Sequence, residues 1–433
     1  MKLKAVILKT ILFLFTLLLV HAAMAQTDSA DPNQEYQSVT DSAEAINYPF
    51  VHYDLNHFTA NENSPTFDLY YQKLDNMLRY GYGKLNIIHF GGSHIQADIW
   101  SNLLRERLQT IDTNIQGARG ILFPFKAAGT NRPYSYSVAY TGVWQGQRSS
   151  YNKHEGTWGV SGITATTSDA KATMKFTFHE SPLPVKTKSF TLLSNIEQNN
   201  YELEVITRDG NYANVFSDAN GYTRVEYANE VDSIEIVFTK SPNSTDELQF
   251  YGLISDNERP GITYHSIGVN GSRFVSFQRC ELFERQLPYL KPDLVILSIG
   301  TNDSSEPNYD STNYKNNFRL FLEQIRQVNP DCAIMLTVPN DNYVAKKYHN
   351  DNLASVRNVI YDLAAEFDAK VWDLYGIMGG KASAKTWKEA GMMKSDLVHF
   401  TKEGYLLKGD LFYQAFLEDY LKWYNNQQPI WTE

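Results

Sequence analysis

Four short polar segments of the sequence carry residue types that could together perform acyl transfer. Three of them follow apolar runs typical of strands, and open α/β sheets bind their ligands at strand ends. A serine, a histidine, a carboxylate and donors for an oxyanion are the groups that a serine hydrolase requires. The segments are Gly91-Gly92-Ser93-His94, Gly268-Val269-Asn270-Gly271-Ser272, Gly300-Thr301-Asn302-Asp303 and Ser395-Asp396-Leu397-Val398-His399.

Ser93 is the candidate nucleophile. The two glycines before it allow a sharp turn at the mouth of a helix, where free N–H groups favour a developing negative charge. Taken alone, Ser93 is more often a helix cap, since serine is a preferred capping residue. Gly271 can direct a backbone N–H into a cleft, but taken alone it indicates only a turn.

Asn302 and the pair formed by Asp396 and His399 supply the remaining groups. The Asn302 amide offers two N–H donors to an oxyanion and carries no charge that would neutralise a base. A three-residue separation in a turn lets the Asp396 carboxylate orient the His399 imidazole. A non-catalytic role is the alternative for these residues. Asn302 could begin a helix or an Asx turn, Asp303 could cap a helix, and His399 could be a structural histidine. The presence of all four segments in one chain favours the catalytic interpretation.

The elements that must position these residues alternate between strand and helix. The pattern predicts a helix over 67–78 with its start at 64–66, a strand over 85–90 and a helix over 95–108. After residue 256 the alternation continues to the C-terminus, which predicts a parallel, doubly wound sheet. The further predictions are strands 263–267, 293–299, 333–338 and 370–374 and helices 275–287, 314–328, 353–367 and 402–423.

Residues 117–255 follow a different pattern. Short runs such as 173–178 and 233–238 alternate apolar and polar residues, and turns rich in Gly, Asn, Asp and Pro separate them. This period of two predicts an antiparallel β-sandwich. We expect the sandwich to be inserted into one α/β domain made of residues 51–116 and 256–425.

The N-terminus is typical of an export signal. Three lysines precede an apolar run over 11–20 and the small residues of Ala23-Met24-Ala25, which predicts cleavage after Ala25. The run is short for a membrane span of about 20 residues, although an uncleaved anchor stays an alternative. Residues 26–50 are polar and predict a flexible lead-in. We expect a periplasmic or secreted protein with no membrane span in its mature chain.

Composition and motifs argue against several other classes of protein. The formal charge of −10 opposes nonspecific binding to nucleic acid. Only Cys280 and Cys332 are present, so the chain has no disulfide framework, and we expect two buried thiols. The sequence has no His-Glu-x-x-His helix, Cys-x-x-Cys pair or phosphate-binding loop, so we expect no metal and no cofactor.

The four segments resemble the sequence blocks of the SGNH, or GDSL-type, hydrolases, in which Ser, Gly, Asn and His occur in this order. The resemblance covers roughly residues 50–115 and 256–425. It implies a flavodoxin-like, three-layer α/β fold around a doubly wound parallel sheet. One departure is Gly92, which stands where the family usually has Asp.

The same resemblance implies a role for each site residue. Ser93 would be the nucleophile, His399 the general base, and Asp396 the carboxylate that orients the imidazole. The oxyanion hole would consist of the backbone N–H groups of Ser93 and Gly271 and the side chain of Asn302. The implied reaction is acyl transfer in two steps through an acyl-enzyme.

In architecture the chain resembles peptidoglycan O-acetylesterases, which are SGNH enzymes with a carbohydrate-binding-like sandwich inserted in the catalytic domain. This implies a serine esterase that removes O-acetyl groups from a cell-envelope glycan, with peptidoglycan as the first candidate. The alternatives are an O-acetyltransferase or acetylesterase on an exopolysaccharide or plant glycan, and a catalytically silent glycan-binding protein. The oligomeric state stays open.

Candidate substrate-binding residues lie outside the four blocks or at their edge. His94 and Asn340 are candidates for lining the cleft, and Trp144 and Trp158 for stacking on sugar rings. Core packing is the alternative for the two tryptophans, and a plain polar turn is the alternative for Asn340.

Overall fold

The structure is a computed structural model that describes residues 47–112, 115–179, 185–196, 200–208, 210–242 and 244–427. The predicted export signal and most of the predicted lead-in lie outside these residues. The strands are β1 Phe58–Thr59, β2 Lys84–Gly91, β3 Gly120–Leu122, β4 Tyr136–Thr141, β5 Gln145–Arg148, β6 Ile163–Thr167, β7 Lys171–Phe178, β8 Thr187–Ser194, β9 Tyr201–Val205, β10 Ala213–Ser217, β11 Thr223–Val231, β12 Ser233–Lys240, β13 Leu248–Asp256, β14 Gly261–Gly268, β15 Leu294–Ser298, β16 Ala333–Val338, β17 Tyr343–Val344, β18 Tyr348–His349 and β19 Lys370–Asp373. The α-helices are α1 Pro65–Tyr80, α2 Ser93–Gln96, α3 Trp100–Gln109, α4 Phe274–Gln278, α5 Phe283–Gln286, α6 Thr301–Ser304, α7 Ser311–Val328, α8 Leu353–Phe367, α9 Leu374–Ile377, α10 Ser383–Glu389 and α11 Lys402–Gln427.

A six-stranded sheet carries the candidate site. Five of its strands are parallel, in the spatial order β14-β2-β15-β16-β19, and β1 pairs antiparallel with β19 at one edge. Numbered along the chain, the parallel strands have the order 2-1-3-4-5, which is the flavodoxin-like arrangement. The order reverses between β2 and β15, so their carboxyl ends border the crevice in which such sheets bind ligands.

Helices cover both faces of this sheet and bury two hydrophobic cores. Phe67 of α1 and Phe416 of α11 belong to one core, while Phe318 of α7 and Ile360 of α8 belong to the other. The central strand β16 is buried at every position, as expected for a parallel strand with helices on both sides. The predicted three-layer α/β fold is therefore confirmed.

Residues between β2 and β14 form two antiparallel sheets. One has the order β10-β11-β8-β13-β6-β5, with β3 also on β13, and the other has the order β4-β7-β12-β9. The sheets face each other, since the ring of Phe176 stacks on that of Phe250 with centroids 6.3 Å apart. Both rings belong to the same hydrophobic core as Phe90 of β2, the strand that leads to Ser93. The division into domains at 117 and 255 stays a prediction.

Two predicted helices are wrong as continuous elements. The helix expected over 95–108 is two helices, α2 and α3, because Asp98 between them adopts a left-handed φ of 50°. The helix expected over 275–287 is divided into α4 and α5. There the N–H of Leu282 donates to the carbonyl of Trp158 in the antiparallel region, at 3.1 Å, instead of continuing a helix. Tertiary contacts thus override local periodicity at both places.

Both cysteines are free and buried, as predicted. Burial raises the pKa of each thiol to about 12, so neither is a ready nucleophile at neutral pH. Among the described residues, no helix has both the length and the apolar character of a membrane span.

Candidate active site

The turn that presents Ser93 depends on close backbone packing. At Gly91, a Cβ atom would lie 2.2 Å from Cγ1 of Ile95, so no larger residue fits without displacing the helix that begins at Ser93. The Gly91 carbonyl accepts hydrogen bonds from Val269 N and Ser272 Oγ, each at 3.1 Å. The segment after β14 therefore holds the end of β2 in place.

Gly92 departs from the family's usual Asp, and the structure shows what surrounds the position. A Cβ there would lie 3.4 Å from Asn302 Nδ2 and 3.7 Å from Ser272 Oγ, which leaves room for a small side chain. The Gly92 carbonyl accepts from the N–H groups of Ile95 and Gln96, at 3.1 and 3.0 Å. Backbone hydrogen bonds and Ser272 thus support the turn, with no carboxylate at position 92.

Ser93, His399 and Asp396 form a continuous hydrogen-bonded chain. Ser93 Oγ lies 2.8 Å from His399 Nε2, and His399 Nδ1 lies 2.9 Å from Asp396 Oδ2. The other carboxylate oxygen, Oδ1, accepts from the N–H groups of Val398 and His399, each at 2.9 Å. Leu397 adopts a φ of 56°, and this tight turn brings the carboxylate back onto the imidazole.

The carboxylate of Asp396 is held in its ionised form. Partial burial acts to raise its pKa, but the backbone N–H groups of His399 and Val398 and the His399 ring outweigh burial and lower it. An ionised carboxylate at Nδ1 fixes the tautomer in which Nε2 can accept a proton from Ser93.

Three donors lie at the same edge of the sheet. Gly271, with a left-handed φ of 78°, and Ser93 each have a backbone N–H that donates to no acceptor among the described residues. Asn302 Nδ2 donates one hydrogen to the carbonyl of Ser272, at 3.0 Å, and an amide has a second to offer. A Cβ added at Gly92 would lie 3.4 Å from Asn302 Nδ2. The Asn302 amide therefore lies beside the turn that presents Ser93.

Asp303 caps a helix, although not its own. Its Oδ1 accepts from the N–H of Phe274, at 3.2 Å, at the start of α4, while Asp303 itself lies within α6. Burial raises the pKa of this carboxyl to about 7. The residue therefore ties the third polar segment to the second.

The structure brings His94 to the candidate base and places Asn340 behind it. The His94 ring stacks on His399, and its Nδ1 lies 3.0 Å from the Tyr405 hydroxyl. Asn340 is buried, and its amide donates to the carbonyl of Val398 at 3.1 Å. Asn340 thus supports the loop that carries His399.

Neither Trp144 nor Trp158 has a contact with the serine turn among the described residues. Trp158 is only 4% exposed, and the Arg279 guanidinium covers its ring at 4.7 Å, so its expected stacking on a sugar is contradicted by burial. Trp144 is half-buried, packs edge-on against Phe238 and donates its indole N–H to Thr141 O. For both rings the core-packing alternative describes the contacts better.

Sequence reasoning missed Gln96 and a short segment, residues 130–134, that we call the strap. Gln96 Oε1 accepts from Asn270 N at 2.8 Å, and its Nε2 donates to Thr130 Oγ1 and to Asn131 O, at 3.0 and 2.9 Å. One signal was available: Gln96 lies three residues after Ser93, on the same side of a helix. The strap has no such signal, because it comes from a distant part of the chain.

Within the ranges that the structure describes, no group of three His, Cys, Asp or Glu side chains is arranged to hold a metal ion.

Comparison with known proteins gives a family match and a fold match. Residues 250–407, which include three of the four polar segments, match the GDSL-like lipase/acylhydrolase family. A solved structure of a peptidoglycan O-acetylesterase has a TM-score of 0.67 and 21% identity, over 84% of this chain and 98% of that one. No curated protein matches the chain.

Other solved structures match only part of the chain. An acetyl xylan esterase, AlAXEase, is 18% identical over 36% of this chain and 81% of its own, with a TM-score of 0.30. A GDSL-like lipase from Bacteroides thetaiotaomicron is 21% identical over 36% and 76%, with a TM-score of 0.29. The fold likeness is to the peptidoglycan O-acetylesterase structure, and the match to the family is to residues 250–407.

Proposed function

We propose that this chain, which has the SGNH, or GDSL-type, hydrolase fold, is an exported serine esterase that removes O-acetyl groups from peptidoglycan. The observation that carries the mechanism is the chain of contacts from Ser93 Oγ through His399 to Asp396, at 2.8 and 2.9 Å. This is the arrangement of a nucleophile, a base and a group that orients the base.

The reaction proceeds in two steps. His399 Nε2 takes the Ser93 proton as Oγ attacks the acetyl carbonyl, and Asp396 stabilises the imidazolium that forms. The N–H groups of Ser93 and Gly271 and the Asn302 amide donate to the oxyanion. His399 then protonates the departing sugar oxygen, which leaves as a hydroxyl, and a water molecule, deprotonated by His399, attacks the acetyl-enzyme and releases acetate from Ser93.

Two features support the substrate and the location. The matching solved structure is that of a peptidoglycan O-acetylesterase, and the match extends over 84% of this chain. The sequence pattern of residues 1–25 supports export, which would bring the enzyme to the cell wall.

Acetate release tests the proposal directly. Wild type and Ser93→Ala would be assayed on 4-nitrophenyl acetate and on O-acetylated peptidoglycan. We expect wild type to release acetate from both and the variant to lose at least a thousand-fold in rate, of the order that removing a triad member costs. Equal rates for the two proteins would overturn the mechanism. Activity on the small ester but not on the polymer would overturn the substrate.

A further inference from the structure

A groove of about 230 Å³ opens beside the strap. Phe123, Phe125 and Tyr136 contribute its apolar walls, and Lys126 and Arg132 its charged ones; no Asp or Glu lines it. The Tyr136 hydroxyl donates to Phe123 O and accepts from Phe123 N, each at 2.9 Å, so these walls are fixed before any ligand binds.

The groove adjoins the candidate active site through the strap. Thr130 Oγ1 accepts from the side chains of Gln96 and Asn270, at 3.0 and 3.2 Å, and Tyr134 N donates to Ala97 O at 3.0 Å. Arg132 lies between these two anchors. The strap is therefore fastened to the helix that begins at Ser93 and to the segment that carries Gly271, and it forms the boundary between site and groove.

The charge of the groove is opposite to that of the chain as a whole. The chain has a formal charge of −10, yet Lys126 and Arg132 are exposed and neither pairs with a carboxylate among the described residues. Lys402 also has no carboxylate partner among the described residues, and its Nζ donates to the hydroxyl of Tyr134, a residue of the strap, at 3.0 Å. Exposed cations with no partner attract an anionic group to this edge of the site.

We infer that the groove binds a carboxylate of the glycan whose acetyl group reaches Ser93. The inference rests on the proposed function and adds to it that the preferred substrate is acidic. The volume of the groove is below the roughly 300–1,000 Å³ of sites that enclose a whole small ligand, which suits a single unit of a polymer. The two exposed cations, Lys126 and Arg132, fit a carboxylate.

The test compares substrates that differ in charge. Wild type, Lys126→Gln/Arg132→Gln and the control Lys171→Gln/Lys388→Gln, which removes two exposed lysines elsewhere, would be assayed on O-acetylated oligogalacturonide, O-acetylated muropeptide and O-acetylated xylo-oligosaccharide. We expect the first variant to raise KM roughly 3- to 30-fold on a carboxylated substrate. Its KM on the neutral xylo-oligosaccharide and its rate on 4-nitrophenyl acetate should be unchanged, and about 0.5 M salt should reduce the difference.

Each outcome bears on the inference. If the double variant raises KM only on oligogalacturonide, the carboxylate belongs to the sugar. If it raises KM only on the muropeptide, the carboxylate belongs to the attached peptide. No rise in KM, or an equal rise on the neutral substrate or in the control, overturns the acidic subsite while leaving the esterase intact. Binding of deacetylated oligogalacturonide and muropeptide to Ser93→Ala, with and without the two substitutions, measures the groove even if the proposed esterase activity fails. We expect Ser93→Ala to lose binding when Lys126→Gln and Arg132→Gln are added. Equal binding by the two proteins overturns the inference.

Discussion

His94 stacks on His399, with ring centroids 5.1 Å apart and an angle of 27° between the planes. His94 is buried, and burial, followed by the charges of Lys408, His399 and Lys394, lowers its pKa well below the usual value. A neutral ring therefore packs against the imidazole that becomes positively charged in the proposed mechanism. The contact restricts rotation of His399 without adding a competing charge.

This stacking predicts that His94 is a positioning residue. We expect His94→Ala to lower kcat about 10- to 100-fold with little change in KM, because small displacements of a base have effects of that size. The double substitution His94→Phe/Tyr405→Phe keeps a neutral ring on His399 and leaves no hydroxyl without its partner, so it should retain most of kcat. The measurement is steady-state kinetics on 4-nitrophenyl acetate. Equal losses in the two variants would contradict a role for the ring.

Asn302 is predicted to act mainly in the transition state. Asn302→Ala removes a donor to the oxyanion and should lower kcat about 100- to 1,000-fold. The same change also removes the hydrogen bond to the carbonyl of Ser272, so thermal unfolding must be measured beside the kinetics. A large loss of kcat with a nearly unchanged Tm supports the oxyanion role. A fall in Tm that accounts for the lost activity would point to a structural role.

The residues of the site could be predicted from the sequence because each lies at the end of a recognisable element. Ser93, Asn302 and His399 follow turns whose residue types restrict the backbone, and the apolar strands before Ser93 and Asn302 are strongly patterned. The strand order 2-1-3-4-5 also follows from the alternation of strands and helices together with the family resemblance.

What the sequence could not provide are contacts between distant segments. Asp98, at the break between α2 and α3, pairs with Arg119, which lies outside both helices, and local periodicity alone favours an unbroken helix there. The burial of Trp158 depends on Arg279, 121 positions later in the chain. The strap depends in the same way on hydrogen bonds to Gln96 and Asn270, which lie in other parts of the chain.

Asp98 joins the helix after Ser93 to the antiparallel region, and this predicts a loss of stability in acid. Its carboxylate is buried and bonds Arg105 Nη2 at 3.0 Å and Arg119 Nη2 at 2.7 Å. Burial acts to raise the Asp98 pKa, but Arg105, Arg119 and the hydroxyls of Ser135 and Ser101 lower it below 3.8. The stabilisation is therefore fully present above the unfolded value of 3.8 and is lost as pH falls through the lower folded value.

Substitution of Asp98 tests this pH dependence. At pH 7, Asp98→Asn should lower the free energy of unfolding by about 3 to 5 kcal/mol, because two buried guanidinium groups lose their counter-charge. The deficit should shrink below pH 3.8, where the wild-type carboxylate also becomes protonated. Exposed Asp246→Asn is the control, and denaturant unfolding at several pH values is the measurement. A deficit that is independent of pH would mean that the carboxylate's charge is not the cause.

Lys408 of α11 is buried against the Trp100 ring, with Nζ 4.1 Å from its centroid, and no carboxylate pairs with it among the described residues. Burial lowers the pKa of this ammonium from 10.5 to about 7. Between these two values the unfolded chain binds a proton that the folded chain does not, so this residue makes the free energy of unfolding rise with pH over that window. At pH 7 and below, the folded state carries the cost of a buried charge.

Replacing the ammonium by an apolar group of similar shape should remove that cost. We expect Lys408→Met to raise the free energy of unfolding at pH 7 by about 1 to 4 kcal/mol and to lose the advantage as pH approaches 10.5. Exposed Lys388→Met should change little at either pH. Denaturant unfolding of the three proteins at pH 7 and pH 10 provides the comparison. If Lys408→Met is less stable than wild type at pH 7, the interaction with Trp100 outweighs the burial of the charge.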